Sequence, residues 1–486
     1  MSLLVVGFIA IAIVFAFSSL SSKRPASSPP RVPSVLPWFG TALSFISSPD
    51  EFLARCRKQY GNVFRMLLGG REVVVVSSIS AISSIYAADH NVLGTHETHN
   101  ALYAAVSGGK GNSTEVYRVV SHLIFPMVDQ RLSRRSMGDL TAPIAQALYG
   151  KLKPYTQMKN ARVTLMKFLT EPLCFATNLI MFGTRYPQDT YEDLRILDET
   201  MPERFYSVPF WWWPSMKARK RMLQQIDDYL STRDFSAEED GWIGSAFKKL
   251  FRENDVARHE ACCHLLTFQW GMHTNTFGIA LWFFLFLFSH PDALHAIRNE
   301  VDRAIKEDFG DLDSFLASVN PQVLDRPCFT SLTSALLETM RLTAIFVALR
   351  VAETDLQLKD RGGTVTVRKG EYVLGNVQAV HMDESEYPDH RKFVFDRFAH
   401  NDHREGRLPT DGQPWFSFAA GRHLCKGRYL AMYELKLVAI IYLYLFDFTP
   451  VNHESRSWWP PRTTRRNLGI PRAEEVFVDI RLRHHA

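Results

Sequence analysis

The chain has 486 residues, 46% hydrophobic and 12% aromatic, with 56 Lys and Arg against 51 Asp and Glu for a net charge of +5. That composition supports a large apolar core, and the charge is too mild and too dispersed to suggest a nucleic-acid partner. No internal repeat, low-complexity tract or long linker follows residue 40, so residues 41–486 are expected to form one domain. Cys56, Cys174, Cys262, Cys263, Cys328 and Cys425 lie in apolar or helical runs without ligand or framework spacing, which favours a reducing compartment.

Leu3 to Phe17 is unbroken apolar or small, and with Ser18 to Ser22 it reaches about 30 Å as a helix at about 1.5 Å per residue. Residues 1–22 are expected to be a transmembrane anchor; the alternative is a cleaved signal peptide, given the serines that end the run. Lys23 and Arg24 follow at once, which places the body on the cytoplasmic side. Residues 23–40 are basic and carry Pro25, Pro29, Pro30, Pro33 and Pro37, the composition of a stiff hinge. Further on, Ser107-Gly-Gly-Lys-Gly-Asn-Ser-Thr114 lacks the Gly-Lys-Ser/Thr ending of a phosphate loop and reads as a flexible loop over a substrate. Its Asn112-Ser-Thr114 is a glycosylation pattern, unread in a cytosolic body. Phe210-Trp-Trp-Trp213-Pro214, with Lys217, Arg219, Lys220 and Arg221 beyond, suits a membrane headgroup interface, against a loop packed on its own domain.

From about His259 to Phe288 no proline intervenes, and after Phe277 the stretch is apolar nearly all round, as in a long buried helix. Its middle, Gly271-Met-His-Thr274-Asn275-Thr276, holds no acid. His273 lies two residues from Asn275, points to another face and reads as structural. Thr276 either bonds back to the Met272 carbonyl or faces outward. Neither Cys262-Cys263-His264 nor His484-His485 has metal-ligand spacing. Glu338 and Arg341, three apart on a helix, ordinarily form a solvated pair worth a few tenths of a kcal/mol. Arg350 begins an alternating strand running from Val351 to Leu358. Finally Phe418-Ala-Ala-Gly421-Arg-His423-Leu-Cys425-Lys-Gly427-Arg428 sets one cysteine between glycines, at the mouth of an apolar helical stretch from about Tyr429. The thiolate is the metal-binding form, and a helix N-terminus with Lys426 and Arg428 beside it favours that form, so Cys425 can bind iron. The alternative is a buried structural cysteine. Gly421 and Gly427 permit a sharp turn and close approach to a flat cofactor, and Phe418 can shield the sulfur from water.

This last segment resembles the haem-binding loop of the cytochrome P450 superfamily: aromatic, two residues, Gly, any, basic, any, Cys, any, Gly. Glu338-Thr-Met-Arg341 matches its Glu-x-x-Arg, and Tyr387 to Phe398 resembles the meander that supplies a second arginine, here Arg397. Pro33 to Gly40, Tyr60 to Met66 and Val73 to Ser77 resemble its entry hinge, first helix and first strand pair. His423 departs from the pattern where arginine is commonest, and Lys426 where an apolar residue is usual. The resemblance implies a mainly α fold, with a large helical lobe, a small β-rich lobe and an N-terminal transmembrane helix. It implies haem b as cofactor, with Cys425 as iron ligand and Phe418, Gly421, His423, Gly427 and Arg350 as further contacts. His423 and Arg350 would meet propionates. A buried triad of Glu338, Arg341 and Arg397 would lock the cysteine side of the haem.

The resemblance also places Asn275 and Thr276 at the oxygen-binding groove. The commonest pattern there is an acid followed by two threonines; Thr274 stands in place of the acid and Asn275 in place of the first threonine. That asparagine, with the run from Arg341 to Arg350, resembles the branch of cholesterol 7α-hydroxylase, sterol 12α-hydroxylase and prostacyclin synthase. Gly271, Ala344, Phe346, Val347, Ala348 and Leu468 would line the substrate pocket, and being apolar or small they imply a bulky apolar substrate, sterol- or terpenoid-like. The expected activity is that of a monooxygenase on the endoplasmic reticulum membrane. Its electrons would come from NADPH through NADPH-cytochrome P450 reductase, with cytochrome b5 as a second candidate, docked on Arg422, Lys426, Arg428 and Lys436. Two rivals stand beside it: a haem-thiolate isomerase or dehydratase acting on a peroxide, and a non-catalytic haem carrier or sensor.

Overall fold

The computed structural model describes residues 29–34, 38–110, 112–201, 204, 213–232, 237–344, 347–360, 363–401, 407–409, 414–451, 469–471 and 473–483. The expected anchor at 1–22, the aromatic loop before Trp213, Phe346 and Leu468 lie outside these residues, as does the side chain of Val347.

In chain order, helix α1 (Pro49–Tyr60) leads into a hairpin of β1 (Val63–Leu68) and β2 (Arg71–Val76). Gly69 and Gly70 turn it, both at positive φ, as a two-residue hairpin turn requires. Then come α2 (Ile79–Ala87), β3 (Leu93–Gly94), α3 (His96–Ser107), β4 (Asn160–Thr164), α4 (Leu165–Phe182), α5 (Tyr191–Glu199) and the 32-residue α6 (Arg258–Ser289). The chain closes with α7 (Thr330–Thr343), β5 (Val347–Ala352), β6 (Leu356–Asp360), β7 (Gly363–Val367), β8 (Tyr372–Asn376), α8 (Arg428–Leu445), β9 (Phe446–Pro450) and β10 (Phe477–Leu482).

Helices dominate, and α6 is their axis, packed against α3, α4, α7 and α8. From Phe277 to Leu287 it is buried on nearly every side, which its unbroken apolar sequence requires. Both α4 and α6 are long and apolar enough to cross a membrane, but most of each is buried within the protein. The β-rich part is a five-stranded sheet in the order β1-β2-β8-β5-β3, antiparallel except for the parallel β2–β8 pair. Its alternation is strict in β2. Val74 and Val76 pack with Ile82 and Ile85 of α2, whereas Val73 and Val75 pack with Phe64 and Met66 on the other face.

The single strand expected to start at Arg350 is instead two. Arg350 sits inside β5, opposite Val373, and the backbone leaves that ladder at Glu353, whose N–H donates to the Val92 carbonyl at 3.0 Å. Residues 356–360 then pair only with β7.

A polar network sits between α4 and α6. Buried His273 is hydrogen-bonded through Nε2 to Asn178 Oδ1 at 2.9 Å, and Gln269 accepts from Tyr186 at 2.7 Å. His273 thus has the structural place read for it. Burial pushes its pKa down to about 3, and burial with the Arg341 charge does the same to His381. On unfolding both return toward the ordinary 6.5. The unfolded chain therefore binds more protons between pH about 3 and 6.5, and stability present above that window is lost as pH falls through it. The denaturant midpoint is expected to drop between pH 7 and pH 4. His273→Gln, which keeps an N–H for Asn178 and does not titrate, is expected to drop less; an identical slope would exclude His273 as a source.

Candidate active site

The cysteine loop is strained and held from outside. Ala419 and Gly421 lie at φ 60° and 56°, and a Cβ on Gly421 would come within 2.7 Å of the Tyr86 carbonyl, so only glycine fits there. Cys425 N–H donates to the Phe418 carbonyl at 2.9 Å and closes the loop just before α8. Gly427 lies in a turn, as expected: the Cys425 carbonyl accepts the Arg428 N–H at 3.4 Å and Gly427 has φ −90° and ψ 7°, while a Cβ there would meet nothing within 4 Å, so its smallness also leaves open space.

Behind the loop, Glu338 and Arg341 have no exposed side-chain surface. Glu338 accepts from Arg341 at 2.7 and 2.8 Å, from Arg397 Nε at 3.0 Å and from the Val394 N–H at 3.1 Å. Arg341 also donates to the carbonyls of His381 and His390, at 2.5 and 2.9 Å. Buried neutral His381 passes the restraint on: its Nε2 accepts the Phe416 N–H at 2.9 Å, two residues before Phe418.

A cavity of about 540 Å³ separates the cysteine loop from α6. Cys425, Phe418 and Gly427 border it on one side, and Gly271, Asn275 and Thr276 on the other, with Ala344 and Ala348 between. The surface that Cys425 exposes is cavity wall. Burial raises its thiol pKa, while the Gly427 N–H and the charges of Arg428 and Lys426 oppose that rise. Neither Asn275 nor Thr276 has a side-chain hydrogen bond among the described residues, so Thr276 is not tied back to Met272 and its hydroxyl is available to the cavity.

One rim of this cavity carries a buried guanidinium and two imidazoles. Arg350 is 8% exposed, and among the described residues its guanidinium donates only to the carbonyl of its neighbour Leu349, leaving Nε without a partner there. Buried His423 Nε2 and His99 Nδ1 also lack partners among the described residues. Burial lowers the pKa of Arg350 and pushes that of His99 to about 4; burial, then the Arg350 charge, pushes that of His423 to about 3. A sulfur facing the cavity, open space at Gly427 and unpartnered donors on one rim suit a flat metal-bearing group with carboxylates along one edge.

One sequence reading changes here. Lys436 cannot meet a partner: it is 2% exposed on the inner face of α8, bonded to the Leu324 carbonyl at 2.8 Å and to Asp325 at 3.1 Å. Arg422 and Lys426 sit at 3.4 Å from Asp89 and Asp129 respectively, and Arg428 lies over the Tyr429 ring. His99 and His264 border the cavity although no motif marks either, and periodicity along α6 from Asn275 is the signal that finds His264.

The chain matches the family model described as cytochrome P450 over residues 30–465. It is 26% identical to 7-alpha-hydroxycholest-4-en-3-one 12-alpha-hydroxylase of Homo sapiens, over 90% of this chain and 91% of that protein. It is 24% identical to cholesterol 7-alpha-monooxygenase of Cricetulus griseus, over 95% of each. With 5-beta-cholestane-3-alpha,7-alpha-diol 12-alpha-hydroxylase of Sus scrofa it shares 26% identity over 93% of each.

Removing one partner from a buried charge cluster strands the others. Glu338→Gln is expected to lower the unfolding free energy by about 3–5 kcal/mol. Lys392→Ala, which breaks the exposed Lys392–Asp389 pair in the same meander, should leave it nearly unchanged. Equal denaturation midpoints for the two variants would show that the Glu338 carboxylate is not buried in solution.

Proposed function

This chain belongs to the cytochrome P450 family, and from that premise we propose that it is a sterol- or terpenoid-directed monooxygenase in which Cys425 is the iron ligand. It is a P450 monooxygenase with haem b as its cofactor. What carries the finer reading is that a single cavity borders both the Cys425 sulfur and the Asn275 stretch of α6.

Thiolate-ligated haem supplies dioxygen activation when bound. The chain's own residues do the rest. The strained loop presents the Cys425 sulfur, and Phe418 covers its surroundings against water. Arg350, His423 and His99 would hold the propionates through Nε, Nε2 and Nδ1, which have no partner among the described residues. The Asn275 amide can donate to and orient a water but cannot exchange a proton at neutral pH, so the adjacent Thr276 Oγ1 is the hydroxyl that could pass one. Gly271, Ala344 and Ala348 leave apolar room, with Phe346, Val347 and Leu468 proposed to complete it; shape then selects a bulky apolar substrate. The named relatives act on sterols, which supports that class.

We place the protein at the endoplasmic reticulum membrane by the segment at 1–22, with NADPH-cytochrome P450 reductase docking near Arg422, Lys426 and Arg428. Microsomes carrying the protein and a reductase, given an apolar extract under isotopically labelled dioxygen, should yield labelled product only with NADPH. Unlabelled product formed without NADPH would make it an isomerase.

Cys425→Ser is expected to abolish the thiolate-type carbonyl spectrum, and an unchanged spectrum would remove the ligand assignment. Arg350→Met should leave the haem-free protein as stable as before or more so, because a buried charge with no counter-ion among the described residues is gone, while lowering haem retained per chain after gel filtration. Haem retention equal to that of the parent protein would exclude Arg350 as a propionate contact.

A further inference from the structure

His264, Phe268, Gly271 and Asn275 follow one another at three- and four-residue spacing, so one stripe of α6 borders the cavity over twelve residues, a rise of about 16 Å at about 1.5 Å per residue. At the end away from Asn275, the polar side chains are mostly committed. The Tyr103 hydroxyl bonds the Glu260 carboxylate, Thr267 Oγ1 donates to the Cys263 carbonyl at 2.8 Å, and Trp270 Nε1 donates to Asp198 at 3.1 Å. His264 is the exception. It is 3% exposed, its ring lies between Tyr103 and Phe251, and neither ring nitrogen has a hydrogen-bond partner among the described residues. Burial pushes its pKa down to about 4, against the opposing Glu115 charge, so the ring is neutral, with one donor and one acceptor. A polar ring that borders the cavity and finds no partner among the described residues is completed by what enters the cavity.

We propose that His264 is the polar recognition residue of the substrate site. It takes one hydrogen bond to a hydroxyl or keto oxygen at one end of an apolar polycyclic substrate, and so decides which end points toward Asn275 and Cys425. The proposal rests on the apolar-substrate reading above.

Equilibrium dialysis of the haem-loaded protein tests it with three probes on one sterol skeleton: oxygen at the ring end, oxygen at the side-chain end, and neither. The protein should favour one oxygenated probe over the bare skeleton by about tenfold, one hydrogen bond's contribution, and should not favour the other. His264→Phe, with haem content matching the parent, should erase that preference and leave bare-skeleton binding unchanged; His264→Gln, with its own amide, should restore part of it. Equal binding of all three probes by the parent protein, or equal weakening of all three in His264→Phe, overturns the proposal. If no probe binds the haem-loaded parent, the apolar-substrate reading itself falls and His264 falls with it.

Discussion

The carboxylate of Glu338 lies between Arg341 and Arg397 with no access to solvent, and the cysteine loop takes its shape from that cluster. The link is a chain of hydrogen bonds: Arg341 to the His381 carbonyl, His381 Nε2 to the Phe416 N–H, and the Phe416 carbonyl to the Ala419 N–H at 2.9 Å. Ala419 at positive φ is a conformation an isolated loop would leave. It persists because the backbone on one side is tied to a buried ion cluster and on the other runs into α8. The network is also directional. Arg341 spends one guanidinium nitrogen on two carbonyls and the others on Glu338, so no geometry but this one satisfies it.

The cavity has the opposite economy. Where the Glu338 cluster is satisfied, the rim formed by Arg350, His423 and His99 is not, although the surrounding walls are mostly apolar. A rim of unpartnered donors lowers stability before any group enters, and that deficit is recovered only by an anionic edge of matching span. His264 repeats the pattern at the other end of the stripe on a smaller scale, with a neutral ring in place of a charge. Both features follow one rule: polar groups that the fold leaves unpaired around a cavity describe the polarity of what fills it.

Legibility from sequence followed the range of the interactions. The cysteine loop, the Glu-x-x-Arg pair and α6 were readable because each is local: a motif within eleven residues, a spacing of three on one helix, an apolar run without proline. Glu338 and Arg397 are 59 residues apart, and only the resemblance joined them. The errors have the same origin. Lys436 read as a surface cation because nothing near it in sequence announces Asp325, 111 residues earlier. The break between β5 and β6 comes from Val92, and the burial of His99 beside Arg350 from α3 packing under β5.

The missing acid on α6 has a physical counterpart across the helix. Thr274, which stands where the resemblance has an acid, borders a second cavity of about 540 Å³. Glu192, Asp198, Glu199, Glu474 and Glu475 also border it, and Lys167 and Arg195 are each paired with Glu192, at 3.3 and 3.0 Å. A carboxylate at 274 would add another negative charge to that wall, and repulsion would push its pKa up until it gave up its charge. A hydroxyl avoids the conflict. Asn275 borders both cavities, and there a neutral amide is the polar group that can face an apolar chamber on one side and an acidic one on the other, hydrogen-bonding to either without bringing a charge out of water.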